Sequence, residues 1–259
     1  MNNTYQDIAV QLAHAEQNRI PLTPLSETYP ELTQEQAYAI QSAWFAMKQA
    51  ENMQLIGRKI GLTSRAMQEL LGVDQPDYGF LLDTMVVPSG STLKRDDLLQ
   101  PRLEPEIAFW LAKDLRGPGL TVDDVLAATR GVSPSLELVD SRIANWRIKL
   151  VDTIADNASS ARVIVNREYI PLHTLNLQTE SVVFTRNGEP VGSGNGTAVL
   201  GHPAAAVAWL ANKLAEFDVS LLAGQLVLPG AMCAAVTVAA GEIYRATFTT
   251  LGEVSVHFE

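Results

Sequence analysis

The sequence predicts an α+β protein in which a pair of N-terminal helices leads into a large domain built on a curved mixed or antiparallel sheet. Three observations carry that expectation. Apolar residues recur at helical spacing mainly in the first fifty positions. From about residue 54 the chain breaks into short apolar segments that end in Gly, Pro or Asn. Crossover helices between those segments are too few for a doubly wound sheet. The expected division is a helical region over 1–53 and a sheet domain over 54–259.

In order, Tyr5, Ile8, Leu12 and Ala15 share one helical face, and so do Ala37, Ile40, Trp44 and Met47. Thr33 followed by Gln36 reads as a capping box that opens the second helix. PLTPLSETYP is a proline-punctuated connector between the two. Brief helices are expected over 64–71, 122–130 and 203–216; in the last, Pro203 suits the first helical position and Val207, Leu210 and Leu214 make the buried stripe. Asn187-Gly188 between two alternating runs signals a hairpin. The tail GEIYRATFTTLGEVSVHF alternates around a Leu-Gly break and reads as another.

At 259 residues and 47% hydrophobic, the chain can bury a substantial core. Its 19 basic and 29 acidic residues give a net charge of −10, which argues against nucleic acid or an anionic membrane as a partner. The single cysteine, Cys233, excludes a disulfide framework within the chain and a multi-cysteine zinc site, which fits a reducing cytoplasm. Neither an export signal nor a membrane span is suggested.

The stretch PRLEPEIAFW poses the chemical question. Residues two apart on a strand share a face roughly 6.5 to 7 Å apart, so Glu104 and Glu106 point the same way, opposite Ile107 and Phe109. Two unpaired carboxylates on a buried face repel each other and each wants water. Either something positive lies between them or the strand is an exposed edge, a reading that Pro105 supports because it lacks a ladder donor. In SPSLELVDSR, Glu137 takes the face opposite Leu136 and Leu138 and brings a third carboxylate. Three such oxygens would fill half of an octahedral shell around Mg²⁺ or Mn²⁺, with places left for water and a bidentate substrate. Pairing of Glu137 with Arg142 or Arg102 is the competing expectation.

Other motifs fail. GSGNGTAVLG has Thr197 where a dinucleotide fingerprint needs glycine, and no Gly-Lys-Ser/Thr follows, so its glycines are read as allowing close backbone approach. No G-x-S-x-G elbow is present. His202, ahead of Pro203, is expected to cap or pack at least as readily as to do chemistry.

Taken together and in this order, IGRKIGLTS, GVDQPDYGFLLDTM, PRLEPEIAF, LELVDSRI, DTIADNASS, GHPAAAVAWLANKLA and LGEVSVHF resemble the 2-keto-4-pentenoate hydratase and 4-oxalocrotonate decarboxylase group of the fumarylacetoacetate hydrolase superfamily. The resemblance runs nearly end to end. It implies a mixed β-roll with an N-terminal helical region, a divalent metal on Glu104, Glu106 and Glu137, and homo-oligomers. Relatives commonly carry a small residue between the paired glutamates, so Pro105 is a departure.

The resemblance also implies a small 2-oxo or 2-hydroxy dienoic acid as substrate, from aromatic meta-cleavage catabolism, with a neighbouring pathway enzyme as a candidate partner. Lys59 is assigned to the substrate carboxylate, or to a proton shuttle on condition of a depressed pKa; Arg58 is assigned to substrate binding beside it. Asp77 in Q-P-D-Y-G is the candidate general acid/base, and Ser159 the donor to the substrate carboxylate. The plain alternatives are a solvated Lys59, a turn aspartate at 77 and a helix cap at 156–159. Hydration of 2-hydroxypenta-2,4-dienoate is the favoured reaction because it needs an acid/base residue such as Asp77. Decarboxylation of 4-oxalocrotonate is the second expectation, and a catalytically silent structural partner the third.

Overall fold

The computed structural model describes residues 2–65, 68–69 and 72–259. Helices α1 (Asn2–Asn18) and α3 (Gln34–Ala50) form the expected pair, joined by a connector that holds the single turn α2 (Leu25–Thr28). The capping box is present: Gln36 N–H donates to Thr33 Oγ1 at 3.3 Å and Thr33 N–H to Gln36 Oε1 at 3.0 Å. Of the helix expected over 64–71, Arg65, Gln68 and Glu69 are helical, and 66–67 and 70–71 lie outside the described residues.

The rest of the chain builds two sheets. The larger has the order β2 (Asp77–Leu82), β1 (Leu55–Gly61), β10 (Leu226–Leu228), β5 (Arg102–Leu111), β6 (Thr129–Val139), β7 (Ser160–Val165), β3 (Val86–Val87), with β11 (Val236–Thr237) also on β5. The smaller runs β4 (Thr92–Leu93), β13 (Gly252–Phe258), β12 (Ile243–Phe248), β8 (Ser181–Arg186), β9 (Glu189–Asn195). Parallel pairs β1–β10, β3–β7 and β4–β13 make both sheets mixed, as expected. The shorter helices are α4 (Val122–Ala128), α5 (Leu150–Ala155) and α6 (Pro203–Ala215). His202 caps α6 by accepting the Ala204 N–H at its Nδ1, 3.0 Å away.

Strand parity sorts the larger sheet's two faces. Leu103, Ile107 and Phe109 of β5 with Leu136 and Leu138 of β6 join Phe184, Tyr244, Val256 and Phe258 of the smaller sheet in one core. On the other face, Ala108, Val163, Leu226 and Leu228 join Ile8, Leu12, Ile40, Trp44 and Ile154 in a second core. Glu104 and Glu106 have the parity of Ala108, and Glu137 pairs with Val163. The carboxylates therefore lie on the face that the N-terminal helices cover.

β5 is central, so the exposed-edge reading is corrected. Pro105 is tolerated because its ladder partners on one side are interrupted: β10 pairs at Phe109 and Trp110, and β11 at Leu103 and Arg102. Into that gap the loop brings Met232 N–H, which donates to Pro105 O at 2.9 Å. No strand there requires the missing donor.

The Asn187-Gly188 hairpin has φ of 52° and 86° at its two turn residues, the double left-handed geometry expected of that dipeptide. In the glycine-rich 192–201 segment, a Cβ on Gly194 would lie 1.8 Å from Met232 O and one on Gly196 1.9 Å from Leu177 O. These glycines allow backbone to pack on backbone.

Candidate metal centre

Glu104 and Glu137 stand directly opposite each other in the β5–β6 ladder, and Glu106 follows two residues along, opposite Ser135. One carboxylate oxygen from each of the three glutamates lies within 4.8 Å of the others. Glu106 and Glu137 are fully buried. Glu106 Oε2 accepts the Gly230 N–H at 2.8 Å, and Glu137 Oε1 accepts the Ser160 hydroxyl at 2.7 Å. Each thus has one oxygen held by a donor. Glu106 Oε1 has no hydrogen-bond partner, and Glu137 Oε2 has only the charge of Lys59, whose Nζ is 3.2 Å away.

Burial and the mutual repulsion of Glu137, Glu104 and Glu106 push the Glu104 carboxyl up to about 7 and hold Glu106 well above the ordinary range. An unpartnered buried carboxylate oxygen costs several kcal/mol unless it meets a cation, on the order of the penalty for a buried charge. Three convergent hard oxygens are the donor set that Mg²⁺ or Mn²⁺ takes, so the residues fit a divalent cation.

Lys59 reaches the same place from β1. Its ammonium also donates to Ala158 O at 3.0 Å. Burial alone would pull it down, but Glu137, Asp77, Glu104 and Glu106 outweigh that and hold it above its usual value. With no cation on the glutamates, Lys59 stands as a charged donor to Glu137 and Ala158 O. Arg142 pairs with Asp156 rather than Glu137, and the Arg102 guanidinium lies 4.3 Å from the Trp146 ring centre, where its charge still acts on Glu104.

Asp77 begins β2, opposite Gly61 in register. Its Oδ2 accepts the Thr153 hydroxyl at 3.0 Å, and Oδ1 has no hydrogen-bond partner. A Cβ on Gly61 would lie 2.2 Å from Asp77 Oδ1 and 3.3 Å from Lys59 Nζ, so carboxylate and ammonium flank one point of β1 that only glycine leaves open. Burial raises the Asp77 carboxyl, against the opposing effect of Lys59 and the Thr153 hydrogen bond.

Two expected residues are aimed elsewhere. Arg58 precedes Lys59 on a strand and so takes the other face, where its guanidinium lies 4.6 Å from the Phe80 ring centre. The Ser159 hydroxyl donates to Asp156 Oδ2 at 3.3 Å, while its neighbour Ser160 reaches Glu137. Sequence reasoning missed Ser160, Thr153, Gly230 and the Ala158 carbonyl. Ser160 was findable from the double serine, since one of two adjacent residues must face the site. The other three are brought in by tertiary contacts between distant segments.

The chain matches the model of the fumarylacetoacetate (FAA) hydrolase C-terminal family over residues 46–259, and it belongs to that family. It is similar to a 2-hydroxyhexa-2,4-dienoate hydratase of Comamonas testosteroni, 45% identical over 92% of this chain and 90% of that one. It is also similar to a 2-keto-4-pentenoate hydratase of Paraburkholderia xenovorans, 41% identical over 98% and 94%. The structure of 4-oxalocrotonate decarboxylase from Pseudomonas putida G7, complexed with magnesium and adipate, superposes with a TM-score of 0.97 at 37% identity, covering 100% of this chain and 98% of that one.

Proposed function

We propose that the protein is a metal-dependent hydro-lyase that adds water to 2-hydroxypenta-2,4-dienoate to give 4-hydroxy-2-oxopentanoate. The observation that carries this reading is Asp77, a buried carboxyl with one free oxygen beside Lys59 and next to a three-glutamate cation site. A Mg²⁺ or Mn²⁺ ion on Glu104, Glu106 and Glu137 would supply Lewis-acid stabilisation of negative charge on the 2-oxo oxygen of the substrate. Such a cation and the Lys59 ammonium together balance the charge of the three glutamates. Asp77 need not be ionised to complete that balance, and its raised pKa keeps it available as a proton donor.

Lys59 presents positive charge to the substrate carboxylate and is held still by Ala158 O and Glu137. Asp77 gives a proton to C5 of the diene as the 2-hydroxyl proton leaves to solvent, and then takes one from the water that adds at C4, after which C3 takes a proton from solvent to give the 2-oxo product. Thr153, bonded to Oδ2, leaves Oδ1 as the oxygen that does this. Residues from the N-terminal helices pack over the face of the sheet that carries these groups.

Decarboxylation of 4-oxalocrotonate is the second reading, supported by the TM-score of 0.97 to a decarboxylase. It uses the same cation site but needs no acid/base residue to activate water. The family resemblance further supports a cytoplasmic homo-oligomer in aromatic meta-cleavage catabolism, with a neighbouring pathway enzyme as a candidate partner. Among the described residues no helix is long and apolar enough to cross a membrane.

The test is a product assay by ultraviolet absorption and NMR with Mg²⁺ or Mn²⁺, offering each substrate separately. Formation of 4-hydroxy-2-oxopentanoate from the dienoate is the expected result. Carbon dioxide from 4-oxalocrotonate alone would install the second reading. Inactivity on both, with no Mg²⁺-dependent rise in melting temperature, would make the chain a silent structural partner.

A further inference from the structure

Residues Asn157, Ala158 and Ser159 have φ of 53°, 49° and 56°, three consecutive non-glycine residues in the left-handed region. Single residues visit that region; a run of three persists only where the surroundings impose it. Here the surroundings are specific. Arg142 donates to Asp140 O at 2.8 Å, to Ser160 O at 3.1 Å and to Asp156 O, and it pairs with the Asp156 carboxylate. Asp140 N–H donates to Ser159 O at 2.8 Å. These contacts anchor the far side of the turn.

On the near side the turn itself is docked on β2 through the Asn157 side chain. Phe80 N–H donates to Asn157 Oδ1 at 2.7 Å, and Asn157 Nδ2 donates to Phe80 O at 3.0 Å. β2 is the outer strand of its sheet, so the Asn157 amide completes one rung of an otherwise open ladder. An amide is suited to this because it carries one acceptor and one donor, whereas a carboxylate has no donor. The fit is close: a Cβ on Gly79 would lie 2.5 Å from Asn157 O, and Gly79 is the residue opposite Lys59 in the β1–β2 register.

What the turn delivers is the Ala158 carbonyl, 3.0 Å from Lys59 Nζ. We propose that Asn157 is a positioning residue: by docking the left-handed turn on Phe80 it aims the Ala158 carbonyl at the Lys59 ammonium and fixes it against Glu137. This deepens the function proposed above and rests on it. Lys59 is held between two acceptors, and only one of them belongs to the cation site. Release of the turn leaves the ammonium with one acceptor instead of two, while Ser160, paired with Val139 in the β6–β7 ladder, keeps its own anchor for the bond to Glu137.

The test is a double-mutant cycle between Asn157→Ala and Lys59→Met, with Gly79→Ala as an independent way to push the turn off β2. Asn157→Ala is expected to lower kcat by on the order of 10- to 100-fold, as a misplaced reacting group does, with Mg²⁺ affinity near that of the parent. In the Lys59→Met background the same change adds little further loss. Multiplicative losses would overturn the proposal, since they mean that Asn157 acts without Lys59. The second readout needs no turnover. The shielded Lys59 ammonium gives a ¹H–¹⁵N correlation, assigned by its loss in Lys59→Met, which Asn157→Ala and Gly79→Ala are expected to broaden or remove. An unchanged signal in both variants also overturns the proposal. A parent inactive on both substrates would defeat the functional reading and leave this spectroscopic test standing.

Discussion

The two sheets obey opposite rules about charge. In the five-stranded sheet, β12 alternates exposed and buried residues along its whole length, and its charges stay on the wet face, where Arg245 meets Glu253 and Arg186 meets Glu242. In the eight-stranded sheet both faces of β5 are covered, yet Glu106, Glu137, Lys59 and Asp77 are buried within it. The first arrangement costs almost nothing, because water solvates each charge. The second is tolerable only if the charges compensate one another and a bound cation. The buried carboxylates of this sheet, Asp77, Glu106 and Glu137, gather at one place, and the place marks the chemistry.

The sharpest way to break the contrast is to remove one buried charge. Glu106→Gln is expected to abolish the Mg²⁺-dependent rise in melting temperature and to cut turnover by roughly 10³-fold or more, the scale of a lost electrostatic stabiliser. Without metal, the variant should be as stable as the parent or more so, because an uncompensated carboxylate has gone. A Mg²⁺ shift equal to the parent's would remove Glu106 from the site.

Next in size is Asp77→Asn, which should lower hydration by about 10²- to 10⁴-fold, as loss of a general acid/base does, with the Mg²⁺ shift retained. Steady-state kinetics beside thermal melts separates this variant from the first. Turnover equal to the parent's would end the acid/base role.

A smaller effect comes from pH. In the metal-free protein the Glu104 carboxyl is raised to about 7, above its ordinary 4.5. A folded carboxyl that holds its proton more tightly than the unfolded one stabilises the fold below 4.5, and that contribution is lost as pH rises to 7. The metal-free protein should therefore melt lower at about pH 8 than at about pH 5.5, and the rise on adding Mg²⁺ should be larger at the higher pH. Equal shifts at the two pH values would contradict the raised carboxyl. Least of all, Arg245→Ala in the five-stranded sheet should change stability by less than about 1 kcal/mol and leave kcat alone, since exposed ion pairs contribute little. A larger loss in a denaturant titration would show that this sheet, too, depends on its charges.

Local rules made much of this readable. The capping box at Thr33, the Asn187-Gly188 turn and the parity of Glu104 and Glu106 each depend on a few neighbouring residues, so spacing alone predicts them. Parity also separates Arg58 from Lys59, since adjacent strand residues cannot share a face. The placement of Ser159 was less accessible, because the left-handed turn that directs its hydroxyl to Asp156 is imposed by Arg142 and Phe80 from elsewhere in the chain.

By itself the sequence determined which carboxylates lie on one strand face, which elements surround them and which family the chain resembles, because these follow from periodicity and motif order. Only the tertiary structure decided that Glu137 stands opposite Glu104, that Lys59 is held charged between Glu137 and Ala158, and that Pro105 occupies a gap between β10 and β11. Each of these depends on the register between strands far apart in sequence, and register is set by the packing of the whole sheet rather than by any segment of it.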